Sequence, residues 1–100
     1  VSSAARMSQW PSVPTVAEQG FPGYEVESWW GILAPTGVPQ PILSRMHAEL
    51  TRAMNLADTR SRLEQFGVTV IVSSPEEFRR FITQEMQLWG KVVRDNNIKA

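Results

Sequence analysis

An α/β fold, a short sheet flanked by helices, is what this sequence predicts, and three observations carry the prediction. Residues 24–34, "YEVESWWGILA", alternate in strand fashion, and 68–72, "VTVIV", form a short β-branched run. Two later stretches place apolar residues at three- and four-residue spacing. Strand-like and helix-like segments therefore alternate along the chain, which is the pattern of α/β architecture.

The elements follow in order. Residues 1–6 read as the tail of a strand. In "PTVAEQG", Thr15 precedes Glu18 by three positions, the spacing of a capping box, and Gly20 suits the stop of a short helix. On a strand over 24–34, Tyr24, Val26, Ser28, Trp30 and Ile32 share one face, whereas Glu25, Glu27, Trp29, Gly31 and Leu33 share the other. The second face begins with carboxylates and turns apolar at Trp29, so the strand runs from solvent into burial on both sides, as a central strand does. Pro35 and Pro39 cannot donate to a ladder, Gly37 permits positive φ, and Pro39 is pre-organised for a first helical turn.

From Gln40 the apolar stripe is Ile42, Leu43, Met46, Leu50, Ala53 and Met54, with Arg45, Glu49 and Arg52 outside it. After a break, Asp58 is placed to cap a second helix that carries Leu63 and Phe66 and ends at Gly67. In "SSPEEF", Ser74 is the cap, Pro75 the first helical residue and Glu77 the partner that completes a capping box. The helix over 75–95 then presents Phe78, Phe81, Ile82, Met86, Trp89, Val92 and Val93. Trp30, Ile32, Leu33, Phe78, Phe81, Ile82 and Trp89 are the expected core.

Composition narrows the functional classes. The chain has 100 residues, which suits a single unit burying roughly 60–70 % of its unfolded surface. Ten basic residues balance ten acidic ones, so no basic stripe exists to neutralise phosphates, and nucleic acid is not an expected partner. There is no cysteine, which removes disulfides, thiolate chemistry and Cys-containing metal sites. No apolar run approaches the ~20 residues of a spanning helix, and the first residues lack the charged and apolar regions of a signal peptide. Because the chain starts at Val1, a larger precursor is an expectation.

Catalytic constellations are nearly absent. His47 is the single histidine and borders a core stripe without a clustered partner, which suits packing better than ligation. Ser28 lies in "VESWWG", which lacks the Gly-x-Ser-x-Gly elbow of a nucleophile. Glu25 and Glu27 sit at the wet end of the strand, and "GFPG" and "PTGVP" are turns without the endings of phosphate loops. No metal, cofactor or enzymatic activity is expected. Trp29 and Trp30 differ: adjacent strand residues face opposite ways, so one fills the core while the other lines a crevice at the strand's carboxyl end. Ser28, Trp29, Trp30 and Gly31 are therefore the candidate ligand-adjacent residues.

Taken together, "PSVPTVAEQGFPGYEVESWWGILAPTGVPQPIL", "LEQFGV", "SSPEEFRRFITQEMQLWGKVV" and the closing "NNIKA" resemble the C-terminal part of the solute-binding receptors of tripartite tricarboxylate transporters, the Bug family. The resemblance covers essentially the whole chain. It rests on the Pro-Thr-x-x-Glu-x-Gly, the aromatic pair before Gly31, the Ala-Pro-x-Gly-x-Pro, the Ser-Pro-Glu-Glu-Phe and the late Glu-x-x-x-Trp, all in order. Members often have threonine where this chain has Val38, a loss of a helix cap worth ~1 kcal/mol unless Thr36 substitutes.

The resemblance implies a receptor of roughly three times this length, with the type II periplasmic-binding-protein architecture of two α/β lobes closing on a small organic acid. Residues 1–100 would complete one lobe, with 1–6 the tail of a crossover strand, 24–34 a central strand and 75–95 the C-terminal helix. It further implies an extracytoplasmic, periplasmic receptor that works with the membrane subunits of a transporter and takes up a carboxylate. The family's main carboxylate-gripping loop falls outside these residues, and no family binding residue is carried over onto this chain. The amino end of the helix from Gln40 would offer free N–H groups to an anion. A stand-alone α/β protein-interaction module is the alternative, and taken alone the segment is expected to self-associate through exposed apolar surface.

Overall fold

Residues 1–99 are described by a computed structural model; Ala100, the last residue of the closing Asn-Asn-Ile-Lys-Ala run, lies outside them. Three α-helices form among the described residues: α1 (Gln40–Met54), α2 (Ala57–Gln65) and α3 (Pro75–Asp95), preceded by a single 3-10 turn at Ala17–Gln19.

Local chemistry sets the ends of these elements. The Thr15 amide donates to Glu18 Oε2 at 2.7 Å while the Glu18 amide donates to Thr15 Oγ1 at 3.1 Å, so the reciprocal bonds of the Thr-x-x-Glu spacing form around the 3-10 turn. Gly20 closes it at φ 102. Arg6 Nε donates to the same Glu18 oxygen at 2.9 Å; this bond first, then the Thr15 amide, holds the Glu18 carboxyl below its ordinary range.

Helix α1 starts at Gln40 with Pro39 as its cap residue, and no side chain caps it, so Thr36 does not replace the threonine that Val38 displaces. Helix α2 departs from expectation at its start: Leu56 is the cap, and Asp58 lies in the first turn, paired with Arg62. A carboxylate inside the first turn still meets the positive end of the helix dipole. At the other end, Gly67 at φ 74 donates to the Glu64 carbonyl and Val68 to that of Leu63, the two bonds of a Schellman stop. Asn97 does the same for α3 at φ 51, with Ile98 reaching back to Val93.

The capping box at Ser74 is complete. Ser74 N and Oγ both donate to Glu77 Oε2 at 2.8 Å, and the Glu77 amide donates to Ser74 Oγ at 3.2 Å. The Ser74 amide, followed by its hydroxyl, holds the Glu77 carboxyl below its ordinary value of 4.5. Because the helical pKa is the depressed one, this stabilisation is present above the ordinary glutamate range and is lost as pH falls through the depressed value. A peptide spanning 72–98 is therefore expected to lose helicity on acidification. Ser74→Ala should cost about 1 kcal/mol of helix stability at neutral pH and flatten that acid limb; circular dichroism across pH checks both.

The expected sheet does not form: no strand occurs among the described residues. Residues 24–34 run without a ladder, with one lateral bond from the Val26 amide to the Ser2 carbonyl at 2.9 Å. Val1 pairs likewise with Pro14 and Val16 across a single position; the next step would need the Val16 carbonyl and the Glu18 amide, which the 3-10 turn engages with the Gln19 amide and Thr15 Oγ1. Within "VTVIV" the Val70 carbonyl accepts from Arg60 at 3.5 Å, and just beyond it the Ser73 carbonyl accepts from His47 at 2.9 Å. A carbonyl can only accept, so His47 Nε2 donates; the histidine ties α1 to the segment before α3.

Burial is also far below expectation. Thr15 is the one buried residue among those described, and no apolar side chain is buried. Helices α1 and α2 meet each other, and the half-buried stripe of α1 is Leu43, His47, Leu50 and Met54, not Ile42 or Met46. Trp30, Ile32 and Leu33 are 79 %, 61 % and 72 % exposed and Phe81 and Trp89 are exposed as well, so of the expected core only Phe78 and Ile82 are partly covered. The face of 24–34 that meets α3 is the one carrying Trp29 and Gly31.

Candidate functional site

The 24–34 stretch and α3 make the most specific long-range contact of the molecule. The Trp29 ring packs edge-on against Phe78 and Phe81, with centroids 5.7 and 5.1 Å away, and those two phenyl rings lie nearly parallel at 6.3 Å. Edge-to-face geometry places the positive rim of one ring on the negative face of another. The polar end of Trp29 is also satisfied: its Nε1 donates to Glu85 Oε2 at 3.2 Å. One helical turn further on, Trp89 Nε1 donates to the same oxygen at 3.0 Å. Two residues from Trp29, the backbone of Gly31 passes under Phe78 so closely that a Cβ there would stand 2.1 Å from Phe78 Cζ.

In front of this contact lies an open concavity of about 2040 Å³, bordered by the first residues of the chain, 26–38, one side of α1 and 67–79. Ser28, Trp29, Trp30 and Gly31 all line it, with Phe78 and Arg79. Phe81, Glu85 and Trp89 are absent from its lining and stand behind it. Trp29 thus belongs both to the wall of the concavity and to the cluster that supports that wall. Trp30 extends from the same wall at 79 % exposure. The volume exceeds the several hundred Å³ typical of a small-molecule pocket.

The amino end of α1 is less suited to an anion than free N–H groups would make it. Pro41 has no N–H, and the amides of Ile42 and Leu43 both donate to the Pro39 carbonyl, which leaves the Gln40 amide. Cationic groups do line the concavity. Arg60 is engaged with Asn55 Oδ1 at 2.6 Å and the Val70 carbonyl, whereas the Arg79 guanidinium makes no hydrogen bond within the described residues. Arg79 and Glu85 are the positions that sequence reasoning missed. The Glu-x-x-x-Trp spacing brings Glu85 to Trp89 on one helix face; nothing local announces Trp29 as the second donor. No group of three potential metal ligands occurs among the described residues, and no helix there is long and apolar enough to cross a membrane.

Comparison with known proteins supplies the context of this wall. A family model described as "Tripartite tricarboxylate transporter family receptor" matches residues 1–98. The "UPF0065 protein in tcbD-tcbE intergenic region" of Pseudomonas sp. (strain P51) is 35 % identical over 101 aligned residues, covering 100 % of this chain and 30 % of that protein. "Protein BugT" of Bordetella pertussis is 29 % identical, covering 99 % of this chain and 30 % of its own length. Among solved structures, "R. palustris Rpa4515 with adipate" superposes with a TM-score of 0.81 at 29 % identity, over 93 % of this chain and 31 % of that one. The chain thus spans 30 % of the length of these two curated relatives.

Proposed function

Because the chain belongs to the tripartite tricarboxylate transporter receptor family, we propose that it supplies about a third of a solute-binding receptor that captures a small organic carboxylate for uptake. The observation that carries this reading is the match over residues 1–98, joined to the likeness of the fold to a structure determined with adipate. The concavity agrees with it. A wall of aromatic surface and amide-rich turns, with the Arg79 guanidinium beside it, suits the methylene body and the charged end of an organic acid.

In this reading residues 1–100 complete one lobe, and Ser28, Trp29, Trp30 and Gly31 lie beside the ligand. A second lobe closes the open side and excludes water, which strengthens every charge interaction inside. The receptor works in the periplasm and delivers its acid to the membrane subunits of the transporter. Binding needs neither a metal nor a nucleotide.

Calorimetry of the full-length receptor against mono-, di- and tricarboxylates, adipate included, tests the proposal. Saturable one-to-one binding of at least one acid in the presence of a chelator is expected. Failure to bind any acid of the panel, or chemical turnover of one, overturns it.

A further inference from the structure

We propose that Glu85 is a positioning residue for the ligand-facing wall: its single Oε2 accepts both the Trp29 and Trp89 indole N–H groups and so docks the Ser28–Gly31 backbone onto α3. The inference rests on the receptor reading for what the wall is used for, and on geometry alone for how the wall is held.

Three observations converge on it. The two bonds, 3.2 Å from Trp29 and 3.0 Å from Trp89, end on one oxygen. Trp89 lies four residues beyond Glu85 on the same helix, so it orients the carboxylate; Trp29, 56 residues away in sequence, is what the oriented carboxylate captures. Trp29 is at the same time edge-on to Phe78 and Phe81, and Gly31 lies under Phe78 with no room for a side chain. The ring packing leaves the indole free to slide along the phenyl faces, because such contacts are tolerant of offset. A hydrogen bond to a charged acceptor has a narrow range of distance and angle. Glu85 therefore sets where along α3 the wall sits, and with it the placement of the Ser28–Gly31 amides and Trp30 toward the concavity. The late Glu-x-x-x-Trp of the sequence acquires a physical meaning: it is the helix-borne half of a three-residue latch.

The test uses the full-length receptor, with adipate as the probe and the rest of the acid panel behind it. Glu85→Leu removes the acceptor, Trp29→Phe removes one donor while keeping a ring against Phe78 and Phe81, and Glu85→Gln keeps an oxygen with two lone pairs. Glu85→Leu is expected to weaken acid binding about tenfold, the effect of one lost charge-assisted bond. Without any ligand, it should move the Trp29 and Trp89 indole N–H resonances and speed hydrogen exchange at those two indole N–H groups, with α2 unchanged. Trp29→Phe should reproduce the loss of affinity, and Glu85→Gln should restore both readouts. If Glu85→Leu does not fold, Trp29→Phe and Glu85→Gln decide. Wild-type affinity in Trp29→Phe, or unchanged exchange at the Trp29 and Trp89 indole N–H groups in a folded Glu85→Leu, overturns the inference. Absence of acid binding by the wild type would instead overturn the receptor reading, leaving the ligand-free measurements to judge the latch.

Discussion

Produced on its own, the 100-residue chain is expected to self-associate and to show no cooperative unfolding as a monomer. Its radius of gyration is 16.9 Å, against about 13 Å for a compact chain of this length. Its accessible surface of 8554 Å² exceeds by about 2,800 Å² what a folded monomer of 11.3 kDa exposes. Ordering the backbone costs of order 1–2 kcal/mol per residue, and with no apolar side chain buried among the described residues there is little hydrophobic stabilisation to offset it. The missing coverage is of the size found at obligate interfaces, not transient ones. A formal net charge of zero offers no long-range repulsion to keep copies apart.

Sedimentation velocity over a concentration series, together with chemical denaturation, checks this expectation. Concentration-dependent species without a sharp monomeric transition are the expected result. A monomer at high concentration that unfolds in one steep step would show that the surface is covered in some other way. In the full-length receptor the same apolar faces are expected to be covered by the remainder of the chain, and the transition to become cooperative.

The second large effect is expected at Gly31. A methyl group there would stand 2.1 Å from Phe78 Cζ and 2.8 Å from Cε1, below any real contact distance. The phenyl ring packs against Trp29 and Phe81, so moving it aside disturbs the cluster. Gly31→Ala should therefore cost about 1–3 kcal/mol, the usual range for forcing a methyl group into packed surroundings, and on the receptor reading proposed above should also weaken acid binding by the full-length protein. Gly90→Ala is the matched control. Gly90 lies inside α3, where glycine is less favourable than alanine by about 0.5–1 kcal/mol. Its new Cβ would meet first Arg94 Nη1 at 3.2 Å, the movable end of a flexible side chain. Denaturation midpoints that fall for Gly31→Ala and hold or rise for Gly90→Ala are the expected pair; an unchanged midpoint for Gly31→Ala would show that the close approach to Phe78 is not maintained in solution.

How much of this was legible in the sequence depends on the range of each interaction. The helices, the capping boxes at Thr15 and Ser74 and the stop at Gly67 rest on bonds reaching no more than five residues along the chain, and such chemistry is written in neighbouring letters. Family membership was legible for the same reason, since it rests on short motifs in order. Even locally one rule misled: Asp58 has the side chain of a cap, yet Leu56 takes that position and Asp58 lies in the first turn, paired with Arg62.

Strand alternation predicts that Trp29 and Trp30 face opposite ways, and no more. Which of them packs inward was decided by what waits on each side, and only tertiary structure places the Phe78 and Phe81 rings and the Glu85 carboxylate on the side of Trp29. A carboxylate that accepts from indoles 4 and 56 residues away leaves only its nearer half visible in sequence. The sheet illustrates the same limit. β-branched and alternating runs record a capacity to pair, but a ladder needs a neighbour at hydrogen-bonding distance along its whole length. Here, among the described residues, 24–34 find one lateral bond, from Val26 to Ser2, and Val1 pairs at one position before the 3-10 turn takes up the Val16 carbonyl and the Glu18 amide. Helical pairing is intrinsic to a segment and can be read from it, whereas strand pairing belongs to two segments at once.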